Sequence, residues 1–320
     1  MDLASHEHEA FTSFCLLTAI DRHCFHRPQT FNLHKAPESY HKALAQPDAD
    51  VWHAAMCREL DSLEERKAFK RMTLPSDRKA IGLQWCYAYP DSSIIRGKEK
   101  ARLVTQGFSQ QPEDYGSTYL PVAKITSIHI ALAYAAHHDL EIMSFDIKTA
   151  FLHAKLSTVI YCKQIPGFPE AKSSTVLRLL VALYGLRQSS YEFYTLLHCL
   201  MTCLGMTCCE VNHAVFYGQW QWSTLPHDSI PTPSNSDDLI LMVPVHVDDG
   251  LAVTNSIPLY TWFISKLSKE QEVVDLGPVS MFLAIHIHHD HSCQKIYLSQ
   301  KSFISDLLDT WNMSSCHPLE

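Results

Sequence analysis

Apolar positions along the chain follow two periods. Trp52, Met56, Leu60 and Leu63 recur at i, i+4, i+8 and i+11, the spacing of one helix face. Pro75 and Asp77 end that segment. Residues 81–89 (IGLQWCYAY) are aromatic-rich and predict a strand. A turn with Pro90, Asp91 and Gly97 follows, then a second strand at 101–105, so the two form a hairpin. Residues 125–139 predict a helix. Residues 140–146 (LEIMSFD) predict a strand with Ile142 and Ser144 on one face and Met143 and Phe145 on the other. A short helix or turn is expected at 149–156 and a short strand at 159–162. Residues 177–183 and 191–204 read as mainly helical, and 214–217 as a strand. Residues 219–238, rich in Ser, Pro, Asp and Gln, predict a surface loop. The most strand-like stretch, 239–247, runs into Asp248, Asp249 and Gly250 and returns at 251–253. Asp-Gly between apolar runs is a strong hairpin signal. A helix at 257–269, a strand pair at 281–289 and 295–298, and a helix at 301–311 complete the pattern. Residues 1–36 have weak periodicity and read as a poorly ordered arm with a helix at 8–20. Antiparallel pairs with intervening helices predict an α+β fold, not a doubly wound sheet.

Composition sharpens this picture. The 320 residues are 46% hydrophobic and 19% charged, enough apolar material for a sizeable core and too little charge for a disordered chain. The net charge of −8 by itself argues against a nucleic-acid partner, which calls for basic residues to neutralise phosphates. The charge is uneven, however: −3 over residues 1–57, +4 over 58–110 and −9 over 111–320. One basic block therefore sits ahead of a long acidic remainder. Eleven scattered cysteines, with no repeated C-x2-C pair and no secretion signal, predict reduced, mostly buried thiols in an intracellular protein. The first apolar run, 10–20, is too short to span a membrane, so no membrane partner is expected.

The candidate chemistry lies in a few places. Asp248-Asp249 alone reads as an acidic hairpin turn. Its flanking strands are almost wholly apolar, so the tip should meet the edge of the core, where adjacent carboxylates repel unless a cation offsets them. Asp146 closes the strand LEIMSF. If the strands are neighbours, three carboxylates converge at one end of a sheet, as a pair of Mg2+ ions requires. Lys100 and Arg102 alternate with Ala101 and Leu103 and point the same way. Such a pair either grips a triphosphate or blunts a solvated edge strand. His286, His288, His289, His291 and Cys293 crowd one hairpin without a partner Cys pair. Zinc needs four tetrahedral ligands, so a polar hairpin tip is the simpler reading. Cys199, Cys203, Cys208 and Cys209 read as buried thiols on or beside an apolar helix.

Eight segments in order resemble the reverse transcriptase of copia-type LTR retrotransposons. They are DVWHAAMCRELDSL (50–63), KARLVTQGFSQQPEDYGSTYLPVAKI (100–125), SFDIKTAFLHAKL (144–156), IYCKQIPGF (160–168), LYGLRQS (183–189), VHVDDGLAV (245–253), DLGPVSMFLAIHI (275–287) and IYLSQKSFISDLL (296–308). The resemblance implies an RNA-directed DNA polymerase shaped as a right hand. Fingers would lie mainly in 37–139, a palm with a small antiparallel sheet in 140–256, and a partial thumb with the primer grip in 257–320. It implies Asp146, Asp248 and Asp249 as catalytic ligands of two Mg2+ ions, with Mn2+ able to replace them. It implies Lys100, Arg102, Phe151, Tyr184, Gly185 and Gln188 as dNTP-binding residues. Lys100 and Arg102 would take the β- and γ-phosphates, and Phe151 would exclude a 2′-hydroxyl; its alternative is an ordinary core aromatic. Phe282, Leu283 and Ala284 resemble the primer grip. Implied partners are an RNA or DNA template-primer and dNTPs, in a cytoplasmic virus-like particle or the nucleus. RNase H and integrase modules of a Pol polyprotein are expected alongside but have no counterpart in this sequence.

The chain departs from the pattern at several points. His246 stands where the family has a Tyr, Ala284 where it has a Gly, and Ser190, Tyr191, Glu192 and Phe193 follow LYGLRQS in place of Pro-Arg-x-Trp. Asn212 or His213 replaces an Asp, Gln84 and Tyr89 replace lysines, and the 219–238 loop is long. These changes indicate either a divergent lineage or a drifting, inactive copy of a transposable element that acts at most as a nucleic-acid-binding or interaction protein.

Overall fold

A computed structural model of the chain describes residues 36–89, 99–221 and 238–316. The arm, the hairpin turn with Pro90 and Gly97, and most of the 219–238 loop lie outside the described residues. Two compact units account for the described chain. The first comprises 36–118, 151–192 and 302–316, and the second 119–150, 193–221 and 238–301. The contiguous segments 37–139, 140–256 and 257–320 therefore do not coincide with the compact units. Strand pairing across long sequence separations is the reason.

In the first unit, helix α1 (Tyr40–Leu44) is capped by Ser39, whose Oγ accepts from the Lys42 N–H at 3.3 Å. Helix α2 (Ala49–Glu65) buries Trp52, Ala55, Met56 and Leu63, the face its spacing predicts. Trp52 packs edge-on to Tyr87 and Tyr89, with centroids 5.3 and 5.1 Å away. Strands β3 (Leu83–Ala88) and β4 (Lys100–Thr105) pair antiparallel from Leu83↔Thr105 to Ala88↔Lys100, and β3 alternates buried with half-buried residues. A four-stranded sheet joins β1 (Phe69–Thr73), β7 (Thr175–Leu179), β6 (Tyr161–Cys162) and β2 (Ala80–Ile81) in that order. β2 and β6 are parallel and the other pairs antiparallel.

The helix expected at 177–183 is thus corrected to strand β7. Its register with β1 runs from Phe69↔Leu179 to Thr73↔Thr175. A short apolar run has no period long enough to separate helix from strand, so a partner a hundred residues away decides.

In the second unit, helix α3 (Ile125–His138) buries Ile128, Ala131, Leu132 and Ala135. A six-stranded sheet runs β12 (Val273–Pro278), β5 (Glu141–Ile147), β11 (Asp249–Thr254), β10 (Asp238–His246), β9 (Val215–Gln221) and β8 (Thr207–Cys208). Every pair in it is antiparallel. β9 is longer than its sequence predicts: Gln219 to Gln221 pair with Ile240 to Asp238, so those residues are strand and not loop. β5 is an interior strand, buried on both faces except at Glu141 and Asp146. Helix α4 (Ser189–Cys203) buries Phe193, Leu197 and Met201. Cys199 and Cys203 lie off that stripe and are exposed, which corrects the expectation of buried thiols. Among the described cysteines only Cys162 is buried, and burial pushes its thiol up, above the normal range. Helix α5 (Ile257–Leu267) buries Leu259, Tyr260, Trp262, Phe263 and Leu267. Helix α6 (Lys301–Thr310) belongs, apart from Lys301, to the first unit. No described helix is long and apolar enough to cross a membrane.

A three-stranded sheet, β13 (Met281–Phe282), β14 (Ile285–Asp290) and β15 (Lys295–Ser299), completes the unit. Leu283 and Ala284 join β13 to β14 with φ of +49° and +62°. A two-residue hairpin turn with both φ positive is built for Asn-Gly, and a Cβ there is costly. This explains physically why glycine suits the Ala284 position. Ala284→Gly is expected to stabilise the chain by about 1 kcal/mol, raising the thermal midpoint by roughly 2–3 °C. A lower or unchanged midpoint in circular dichroism would contradict it.

Candidate active site

In the second unit, the β5–β11 register sets Asp249 directly opposite Asp146 and Gly250 opposite Phe145. β10 and β11 close at His246↔Asp249, so Val247 and Asp248 form the turn. The predicted turn was Asp248-Asp249-Gly250; it lies earlier because Gly250 is needed elsewhere. A Cβ at Gly250 would sit 2.0 Å from Cζ of Phe145, whose ring is fully buried. The glycine therefore makes room for a core ring, and the turn strain falls on Val247, at φ +61°. A β-branched residue rarely adopts that conformation. It is held by packing: Val247 and Val245 line a small apolar hollow with Leu120, Phe193, Leu197 and Phe216. The Asp248 carbonyl accepts from the Ile147 N–H at 2.8 Å, and the Ala123 N–H donates to Val245 O at 2.9 Å. Asp146, Asp248 and Asp249 are each half-buried. Three predicted site residues thus share one end of a sheet, Asp146 on β5 and Asp248 and Asp249 at a turn fixed by main-chain bonds.

The neighbouring edge is also anchored. Tyr260 of α5 donates to Asp275 Oδ1 at 2.6 Å and to Ser144 O at 3.3 Å. Burial, reinforced by the Asp275 carboxylate, pushes its phenol well above the ordinary tyrosine range. β12 is thereby pinned beside β5 at the bulge between Asp275 and Gly277.

The first unit holds the predicted nucleotide residues. On β4, Lys100 is exposed and Arg102 half-buried, with Ala101 and Leu103 buried between and after them. The Arg102 guanidinium lies 5.2 Å from the Tyr184 ring centroid, within cation–π range. Phe151 meets the same Tyr184 ring edge-on, with centroids 5.1 Å apart. Arg102, Tyr184 and Phe151 therefore form one contiguous stack. Behind it, burial raises the Glu59 carboxyl, partly offset by the Leu103 N–H at 3.2 Å and by Arg102.

Gly185 has φ +90°, and a Cβ there would lie 2.2 Å from Thr105 O. The Tyr184 carbonyl accepts from both the N–H and the hydroxyl of Thr105, at 2.8 and 2.9 Å. The glycine is thus required by the chain's own packing against β4. Gln188 is 1% exposed. Its amide accepts from Gln110 at 3.0 Å and donates to Asp114 O and Thr158 Oγ1 at 3.1 and 3.0 Å. This differs from its expected contact with the nucleotide: the side chain is fully used inside the protein, where it positions the 184–188 segment.

Residues 66–320 match the family model described as reverse transcriptase (RNA-dependent DNA polymerase). The chain belongs to the reverse transcriptase family. It is similar to the Retrovirus-related Pol polyprotein from transposon TNT 1-94 of Nicotiana tabacum, with 31% identity over 290 residues, or 89% of this chain and 21% of that protein. It is similar to the Pol polyproteins from transposons RE2 and RE1 of Arabidopsis thaliana, at 29% and 30% identity over 84% and 77% of this chain. The chain spans about a fifth of the length of these relatives (21%, 18% and 16%).

Within this reverse transcriptase chain, Phe282 is buried in the second unit's core, and Leu283 and Ala284 form the β13–β14 turn. Sequence reasoning missed the residues that hold the LYGLRQS segment. The Arg187 guanidinium lies 5.0 Å from the Tyr115 ring centroid and donates to Tyr115 Oη and Gly107 O, both at 3.2 Å. Gln110 also accepts from the Arg187 N–H at 2.9 Å. The only sequence signal was the polar, aromatic-containing stretch 106–115, which has no hydrophobic period.

Proposed function

We propose that the chain is the RNA-directed DNA polymerase module of a transposon polyprotein, a right-hand polymerase that extends a primer 3′-hydroxyl with dNTPs. The observation that carries this reading is the register placing Asp249 beside Asp146, with Asp248 in the adjoining turn. The donor set fits Mg2+: three half-buried carboxylates supply hard oxygens, and main-chain bonds hold the turn that carries two of them. Asp146, Asp248 and Asp249 would hold the ions. When bound, such ions lower the pKa of the primer hydroxyl and neutralise the phosphoryl and pyrophosphate charge.

The other roles fall to side chains. Lys100 and Arg102 take the β- and γ-phosphates, Arg102 being steadied by the face of Tyr184. Phe151, braced by Tyr184, selects a deoxyribose by bulk. Gly185 and Gln188 act as positioning residues, keeping Tyr184 against β4. The 282–284 turn orients the primer strand. The basic excess is confined to 58–110, so few phosphates are neutralised and template-primer binding is weak, with a shallow dependence on salt.

The test is primer extension by the purified chain on an RNA template with a DNA primer, dNTPs and Mg2+. Elongated products that vanish with EDTA are expected. Template-primer binding without extension in either Mg2+ or Mn2+ would instead establish the inactive-copy reading.

A further inference from the structure

We propose that Asp139, His289 and His291 form a binding site for a transition-metal dication, with zinc the best match. The site uses none of the residues assigned to polymerase chemistry, and it stands whether or not that assignment holds. All three residues belong to the second unit. Asp139 follows α3, His289 lies near the end of β14, and His291 begins the turn to β15.

The geometry is that of a ligand set. One donor atom from each residue lies within 4.8 Å of the others. His291 Nδ1 is 2.7 Å from Asp139 Oδ1, and His289 Nε2 is 4.0 Å from the same oxygen. Tetrahedral zinc with bonds of about 2.0–2.2 Å spaces its donors about 3.4 Å apart, between those two distances. Small side-chain shifts would bring all three onto one ion. The His289 and His291 ring centroids are 3.9 Å apart.

Two further observations point to a missing cation. The first is His289 Nε2, which is buried without a hydrogen-bond partner on a side chain only 10% exposed. Buried ring nitrogens are normally satisfied, and this one is aimed at the Asp139 carboxylate. The second is Asp139 itself. It caps α3 in the left-handed region, at φ 52° and ψ 48°, where glycine is cheapest. It also puts a carboxylate at the negative end of the helix dipole, where anions are disfavoured. A dication between Asp139 and the two imidazoles answers both.

The donor chemistry narrows the ion. Two imidazoles and one carboxylate suit Zn2+ and its first-row neighbours, whereas Mg2+ and Ca2+ prefer all-oxygen sets. Asp290 is not part of the set, because its Oδ1 accepts from Ser292 Oγ at 2.6 Å and the Cys293 N–H at 3.2 Å. Three protein donors leave one tetrahedral position for water. Asp139 and His291 are roughly half-exposed, at 43% and 47%, so an ion reaches the site from solvent. Asp139 and His291 are 152 residues apart in sequence. The ion would therefore tie the β14–β15 hairpin to the end of α3.

The experiment is calorimetric titration of the EDTA-stripped chain with ZnCl2, repeated with Co2+ to read tetrahedral d–d absorption, alongside melting curves. One tight equivalent per chain and a zinc-dependent rise in melting temperature are expected. Affinity should fall at least about 100-fold in Asp139→Asn, His289→Ala and His291→Ala, and stay unchanged in Asp248→Asn. Asparagine tolerates the left-handed conformation and position 291 is exposed, so two of these variants keep the fold even if His289→Ala does not. Absence of a tight equivalent, or one that persists in both Asp139→Asn and His291→Ala, overturns the proposal.

Discussion

Replacing Asp248 with asparagine is expected to reduce dNTP incorporation by about 10³-fold or more. The substitution is isosteric and leaves the main-chain bond from the Ile147 N–H to the residue-248 carbonyl in place. It removes one anionic oxygen donor from the three-carboxylate end of the sheet. Charge stabilisation by a bound dication in phosphoryl transfer contributes several kcal/mol, and a loss of about 4 kcal/mol corresponds to roughly 10³ in rate. Single-nucleotide incorporation under saturating primer isolates the effect in kcat, and a melting curve of the same preparation separates chemistry from folding. Incorporation within tenfold of the parent, in a variant that melts normally, would remove Asp248 from the metal-binding set and with it the proposed mechanism.

Gly250→Ala should be the most damaging single-methyl change in the second unit. The added Cβ would lie 2.0–2.5 Å from three ring atoms of Phe145. That ring is fully buried and packs edge-on to Phe263, with centroids 5.7 Å apart, so it has no room to retreat. Overpacking of this kind costs about 3 kcal/mol, a fall of roughly 6–12 °C in melting temperature. Because Gly250 follows Asp249 and pairs with Phe145, next to Asp146, the strain also splays the carboxylates, and polymerase activity should fall with stability. Phe145→Leu in the same chain creates space for the methyl. The double variant should recover at least about 1 kcal/mol relative to additivity, and strictly additive losses would show that the ring is not the obstacle.

Much of the secondary structure was legible because local period and burial agree. The α2 face, the β3–β4 alternation and the apolar run of β10 each carry their own signal. What was not legible depends on partners distant in sequence. The TVLRL segment became a strand because β1 lies beside it. The turn preceding β11 moved earlier because Phe145, a hundred residues upstream, occupies the space a Cβ at Gly250 would need. The three aspartates could be proposed as neighbours from two strand-end positions, but only the register gives the Asp146–Asp249 pairing. LYGLRQS resembles a nucleotide-lining segment, and nothing in it announces that Gln110, Asp114 and Thr158 consume the hydrogen bonds of Gln188. The His-rich hairpin by itself reads as a polar tip, because it lacks a partner Cys pair. The third donor, Asp139, sits at a helix end that no spacing rule connects to it.

The strand order of the large sheet also governs how the chain is made. β5, its most enclosed strand, leaves the ribosome about a hundred residues before β11 and still longer before β12, which cover its two edges. At ~5–20 residues per second, its unpaired backbone waits on the order of ten seconds for the first of those neighbours. The chain also passes between the two units at 118/119, 150/151, 192/193 and 301/302, so the second unit is not complete until residue 301 and the first only after the whole of the second has been synthesised. Folding of this module is thus coupled to nearly complete translation. During that interval the nascent chain presents an apolar strand, IMSF, to chaperones or to other nascent copies, and a truncated product ending before β11 would leave that strand permanently open to aggregation.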